Sequence, residues 1–240
     1  MDNPGYVTLT RQSGLLKEMQ LIANNIANMT TTGFRREGTV FAEVIDRQDV
    51  EGGTIAMTDA RVRTTDFSQG GLDATGGMFD FAIEGEGFFR VETEEGEALT
   101  RAGSFALNQA GELVTQDGRR VLDAAGAPLF FPAEARSIEV ATDGTISADG
   151  QPIGQMGVVR AEDPLTLTRR SATLFETEGA VVASEDASIF HGFVEISNVN
   201  PILEVSRMIE VQRAYEMGAS FLEDEDERMR QVTRIIGAQS

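Results

Sequence analysis

The sequence predicts an α+β protein: a long helix at each end, a central all-β domain, and an extended linker joining them. Two observations carry this. The apolar residues of residues 1–36 and 198–240 recur at helical spacing. Between them, turn signals recur about every 8–12 residues, the punctuation of a β-sandwich or barrel. The expected bounds are a terminal helical assembly domain (1–36 plus 198–240), an extended linker and strand region (37–75 plus 181–197) and a central β domain (76–180). The simplest closure packs the two terminal helices side by side as a coiled-coil-like domain.

The N-terminal helix starts with Asn3 as a cap and Pro4 at the first turn, where proline is tolerated. Leu9, Leu16 and Ala23 recur every seven residues, with Met19 and Ile26 three residues after the last two. A second row, Leu15, Ile22 and Met29, runs beside the first. Two adjacent rows are wider than a two-helix seam requires. The helix runs into IANNIANMTTTGFRR (22–36), where Asn24, Asn25 and Asn28 precede three threonines, Gly33 and Phe34. Asparagine and threonine favour helix ends and turns, and glycine takes the positive φ that ends a helix. Locally the stretch is a stop followed by an extended exit.

The C-terminal helix mirrors it. Asn198 and Asn200 precede Pro201, again a cap and an N-terminal proline. Met208, Tyr215, Leu222, Met229 and Ile236 then recur at an unbroken interval of seven, with Val211, Gly218 and Val232 three residues after members of that row. Gly237 supplies a stop. The resulting helix, roughly 54 Å at about 1.5 Å per residue, is long for a compact domain and points to helical assembly. Gly218 is unusual inside a helix, and either a close helix approach or a mild kink accounts for it.

The middle changes period. Asp117-Gly118, Asp143-Gly144 and Asp149-Gly150 are hairpin dipeptides. Around them lie strand-like runs at 88–93, 112–116, 119–123, 137–141, 145–148 and 165–170. The stretch 37–75, with paired glycines and few long apolar runs, reads as linker and strand.

Charge and composition exclude several classes. The net charge is −19, with +2 on residues 1–36, −18 on 37–197 and −3 on 198–240. Such a chain is unsuited to non-specific binding of nucleic acid or of an anionic membrane. No apolar run approaches a membrane span, so no membrane insertion is expected. The absence of cysteine excludes disulfides and thiol chemistry and suits a chain exported unfolded. The N-terminal MDNPGYVTLTRQ lacks the pattern of a secretory signal.

No catalytic, cofactor-binding or metal-binding residues are expected. The acidic run EDEDE (223–227) points around a helix rather than at one ion and reads as a solvated or salt-bridged face. His191 is the sole histidine, and no G-x-S-x-G surrounds any serine. Gly85-x-Gly87 lacks a third glycine and leads into a strand, so it reads as a tight turn. The many carboxylates leave open a cell-wall-polysaccharide-acting enzyme, although nothing singles out two of them.

Three segments resemble signatures of bacterial flagellar rod and hook proteins. IANNIANMTTTGFRR (22–36) resembles the N-terminal signature, a helix ending in A-N-N-x-A-N followed by T-x-G-F. FAIEGEGFFRVETEEGEALTRAGSFALNQAGELVTQDGRRVL (81–122) is similar to the central motif, and EISNVNPILEVSRMIEVQRAYE (195–216) to the C-terminal one. They occur in family order and span nearly the whole chain. Within the family, the length and the tail 219–237 look most like a proximal-rod member, with the distal-rod member as the rival.

The resemblance implies a structural subunit of the basal body, not an enzyme and without a cofactor. Such subunits leave through the flagellar export apparatus without a cleaved signal and stack helically across the periplasm. Their partners are other copies and neighbouring rod proteins. The terminal helices would form the inner tube, with the β domain outward. On this reading Asn24, Asn25 and Asn28 supply hydrogen bonds where helices of different subunits meet, while Gly33 and Phe34 set the turn towards the β domain. The rest of the expected assembly surface is the helix residues named above, from Leu9 to Ile236.

Overall fold

The computed structural model describes residues 3–44, 57–132, 135, 137–184 and 186–237; within these, the side chains of 3–7, 40–44, 57–62, 232–233 and 235–237 are not described. The element order is α+β, with helix α1 (Asn3–Ala27), a β-rich centre and helix α2 (Pro201–Gly237). The chain forms two compact units. A helical unit contains residues 1–27, 36–66 and 200–240, and a β unit contains 28–35 and 67–199.

The helical unit pairs α1 with α2 and adds a hairpin within the stretch read as linker and strand. Strands β1 (Glu37–Val44) and β2 (Met57–Thr65) pair antiparallel, from Glu37 opposite Thr65 to Val44 opposite Met57. Residues 37–44 and 57–65 thus hold paired strands beside α1, in the stretch read as linker and strand. Residues 45–56 of the expected linker lie outside the described residues. Alternation in RVRTT (61–65) is the strand signal there, but its partner is remote in sequence and the face is not strongly apolar.

The β unit is built on a six-stranded antiparallel sheet. Its spatial order is Leu167–Arg169, Leu174–Thr177, Gly96–Thr100, Phe88–Thr93, Val158–Ala161 and Val181–Ala183. Around it are a three-stranded sheet (138–140, 145–148, 151–155) and smaller pairs, 81–84 with 188–191, 72–74 with 193–195, and 105–107 with 113–115. Segments 67–75 and 181–197 therefore belong to the β unit. Asp149-Gly150 turns 145–148 into 151–155 with positive φ at both residues, 50° and 79°. That is the geometry for which Asp-Gly is selected in two-residue hairpins. The expected strand at 119–123 is realised only as isolated bridges, among them Val91 to Val121.

Alternating strands bury one face into a common core. Phe81, Ile83, Phe89, Val91, Phe105, Leu113, Phe131 and Ile146 converge there, with Phe89 against Phe105 edge to face at 5.4 Å. A smaller cluster of Phe88, Leu99, Val159 and Phe175 covers the other face of the sheet. Truncating Phe89 to alanine removes a fully buried ring, and Phe89→Ala lowers the stability of the β unit by about 3–5 kcal/mol. Urea unfolding of the full chain followed by far-UV circular dichroism reads this loss directly.

Candidate functional site

In the helical unit, α1 and α2 run antiparallel. Gln12 meets Tyr215, Glu18 meets Arg207 and Asn25 meets Glu204, so residue numbers rise on one helix as they fall on the other. The apolar contact is Leu15, Ile22 and Val211, all buried, with Met19, Ile26, Met208, Ala214 and Tyr215 packed around them. On α2 the contact continues at Gly218, beside Gln12, and Leu222 further along is half-buried. The inward row of α1 is therefore Leu15 and Ile22, with Met19 and Ile26 between. The other row faces outward: Leu9 is 59% exposed, Leu16 43% exposed, and Ala23 is also exposed. Sequence spacing could not rank the two rows, because both repeat at seven. Met229 is exposed, and the side chains of Val232 and Ile236 lie outside the described residues.

The register also places α2 beyond α1. With these pairings Asn3 falls opposite the region of Leu222 to Asp226. About a dozen residues of α2, roughly 18 Å at 1.5 Å per residue, therefore have no α1 residue opposite. The acidic run lies at this point, and two of its members are tied back along the helix, Glu225 to Arg228 and Asp226 to Arg230.

Polar side chains flank the apolar contact. The Asn25 amide mimics a strand neighbour: its Nδ2 donates to the Glu37 carbonyl and its Oδ1 accepts from the Glu37 N–H, both at 2.8 Å. Nδ2 also donates to buried Glu204, whose other oxygen receives Arg36 Nε at 2.6 Å. Asn24 donates to the Glu37 carboxylate. Asn25 is fully buried, so its hydrogen-bonding capacity is used within the chain rather than between subunits. Arg207 reaches Glu18 at 2.7 Å, and that bond holds its guanidinium above its ordinary pKa. Asn200 caps α2, accepting from Ile202 N–H and Leu203 N–H.

In the β unit the exit of the N-terminal segment is locked. Asn28 accepts from Thr31 Oγ1, and Thr31 N–H bonds the Asn28 carbonyl, closing a turn after α1. Gly33 has φ of 68°, and a Cβ there would sit 2.2 Å from the Ala102 nitrogen. Only glycine fits this approach. Gly33 N–H donates to the Glu195 carbonyl, and Phe34 is fully buried beneath the Arg169 guanidinium. The neighbouring Arg35 is 1% exposed and bonds Glu195, itself 0% exposed, at 2.5 Å. Arg101 reaches the second Glu195 oxygen at 3.1 Å, and Gly70 N–H donates to the first. Burial pushes the Arg101 guanidinium below its ordinary pKa, while Glu195 opposes the shift. Asn198 bonds the Ser68 carbonyl and, through its own N–H, the Phe34 carbonyl.

Sequence reasoning missed Arg35, Arg101 and Glu195, since charged residues in isolation read as surface. Elsewhere in the β unit, a cleft of about 650 Å3 is lined by Glu92, Asp117, Arg119, Arg120, Arg170 and Glu176. Its carboxylates lie against arginines, Glu92 with Arg120 and Glu176 with Arg170 at 2.7 Å and Asp117 with Arg119 at 2.6 Å. His191 stacks on Phe81 and bonds the Met78 carbonyl. Gly85 takes positive φ at the turn into the Phe88–Thr93 strand.

Removing Glu195 leaves two buried guanidiniums without their carboxylate. Glu195→Ala accordingly destabilises the β unit by about 3–5 kcal/mol. Asp117→Ala, at an exposed pair, leaves the urea transition where it is.

Comparison with known proteins follows the same segments. Residues 6–35 match the family described as flagella basal body rod protein. Residues 82–148 match the flagellar hook protein FlgE/F/G D1 domain, and 191–235 the flagellar basal body rod FlgEFG protein C-terminal family. The chain is 37% identical to the flagellar basal-body rod protein FlgF of Caulobacter vibrioides, covering 99% of each chain. It is 32% identical to FlgF of Mesorhizobium japonicum over 100% of each. Against the flagellar basal-body rod protein FlgG of Bacillus subtilis it is 30% identical, over 96% of this chain and 97% of that one. With both helices and the β unit accounted for in family order, the chain belongs to the flagellar basal-body rod proteins and is a structural subunit of that rod.

Proposed function

We propose that this subunit occupies the proximal rod and assembles helically, with copies of itself and with neighbouring rod proteins, through its terminal helices. The observation that carries the reading is the outward row Leu9, Leu16 and Ala23, exposed on a helix that already buries Leu15 and Ile22 against α2. Ile202, Val205 and Ile209 form a second exposed apolar stripe near the start of α2. A helix pair with uncovered apolar faces is weakly held alone, and a neighbouring copy that covers them adds the missing burial. In the assembly the seven-residue repeat of α2 serves as a coiled-coil-like seam, and torque passes through the packed helices. The role is structural and not catalytic.

The proximal position is supported by full-length similarity to relatives named FlgF, at 37% and 32% identity. Export through the flagellar apparatus into the periplasm is supported by the absence of cysteine, which suits a chain exported unfolded. Among the described residues no helix is long and apolar enough to cross a membrane.

Two measurements test the reading. Leu16→Asp changes an outward side chain and leaves helix content and the β-unit transition as they are. The variant is absent from purified basal bodies and does not restore motility to a strain lacking the subunit. Incorporation at the unaltered level would refute helix-mediated assembly. In hydrogen exchange on the free subunit, α1 and α2 exchange faster than the β-unit core, and both slow on incorporation into the rod.

A further inference from the structure

Gln12 is a polar residue in the contact between α1 and α2. It is 8% exposed and its Nε2 donates to the main-chain carbonyl of Tyr215 at 2.9 Å. Its Oε1 is buried without a hydrogen-bond partner. The amide reaches the α2 backbone because Gly218 stands one turn along. A Cβ on Gly218 would lie 2.3 Å from Gln12 Nε2 and 3.1 Å from Cδ. Both residues are costly where they are. Glycine in a helix interior loses about 1 kcal/mol relative to alanine, and a buried unsatisfied acceptor loses about 1–3 kcal/mol. Apolar residues at both positions would bind the helices more tightly, as at the neighbouring contact of Leu15, Ile22 and Val211.

We infer that Gln12 and Gly218 form a register lock, in which a polar key enters a side-chain-free notch and selects one alignment of α1 on α2. When α2 is displaced by two turns, Tyr215 and Leu222 take the places of Met208 and Tyr215 and that row stays apolar, while Gly218 or Glu204 takes the place of Val211. The buried Gln12 amide discriminates further, beside Glu18 with Arg207 and Asn25 with Glu204, because only the native alignment gives it both space and a carbonyl. Displacing α2 puts the amide against Val211, which carries a side chain where Gly218 has none, or against Leu222 or Glu225. The lock also sets how much of α2 extends past Asn3. It acts within one chain and holds whether or not copies assemble.

The test is electron–electron distance measurement on the full chain, spin-labelled through Leu16→Cys and Gln212→Cys. Both positions are exposed, and the chain has no cysteine of its own. Labelled protein is diluted with unlabelled protein so that only distances within a chain are read. The parent gives one narrow distance. Gln12→Leu adds a population displaced by one or more helical turns, about 5.4 Å each. Gly218→Ala does the same by pushing the flexible amide out of the notch, and the double variant behaves like either single one. Leu15→Val, an apolar change in the same seam, keeps one distance.

Hydrogen exchange supplies the opposing sign. A residue that merely stabilises the pair would speed α1 exchange when lost, whereas Gln12→Leu slows it roughly fivefold by removing the unsatisfied acceptor. A single unshifted distance in Gln12→Leu, a parent without a defined distance, or faster exchange in Gln12→Leu would each overturn the lock. None of these outcomes bears on whether copies assemble, which the basal-body incorporation of Leu16→Asp reads separately.

Discussion

The Glu195 carboxylate, shared by two buried arginines, is the interaction on which the rest of the molecule depends. It lies 160 residues from Arg35 and 94 from Arg101, and it also receives the Gly70 N–H. One side chain therefore joins four separated stretches of the β unit. Because the Glu195 carbonyl also holds Gly33 and Asn198 holds Phe34, the segments leading from α1 and towards α2 are fixed beside each other. Closing a loop of that length is a chain-entropy cost the two helices would otherwise meet alone. The ion pairs are buried, so their value lies less in net stability than in allowing one arrangement of the segments they join.

The helical unit repeats the same logic with polar groups at intervals along its contact. Glu18 with Arg207 and Asn25 with Glu204 bracket the apolar residues Leu15, Ile22 and Val211. Asn25 completes the edge of β1 by offering its side-chain amide to Glu37. Arg36 then joins that strand to Glu204 on α2. The asparagines in the last turns of α1 are thus more than helix-end residues, and Asn25 in particular is a substitute for backbone.

Much of this was legible in the sequence where the signal is local. The start of α2 at Pro201 follows from the Asn200 cap and the proline rule, and Asp149-Gly150 announces its hairpin. The strand at 88–93 was visible as an apolar run. What lacked a local signal was missed. The choice between the Leu15 and Leu9 rows depends on which face α2 covers, and both rows have the same period. Strand was expected in 37–75, but the pairing of β1 with β2 was not read, because a long stretch separates them and both carry charges. Arg35, Arg101 and Glu195 are common charged residues until folding removes them from water together. Gly218 was conspicuous as an anomaly, but the side chain that explains it lies over two hundred positions away.

The unequal lengths of the two helices have a mechanical consequence. Each α2 outreaches its own α1 by about a dozen residues, roughly 18 Å. In the stacked assembly proposed above, such an overhang would bond the column like brickwork, each block bridging the seam left by the one beneath. No flat plane would then cut only between blocks, and a twisting load would meet no single weak course along which to shear.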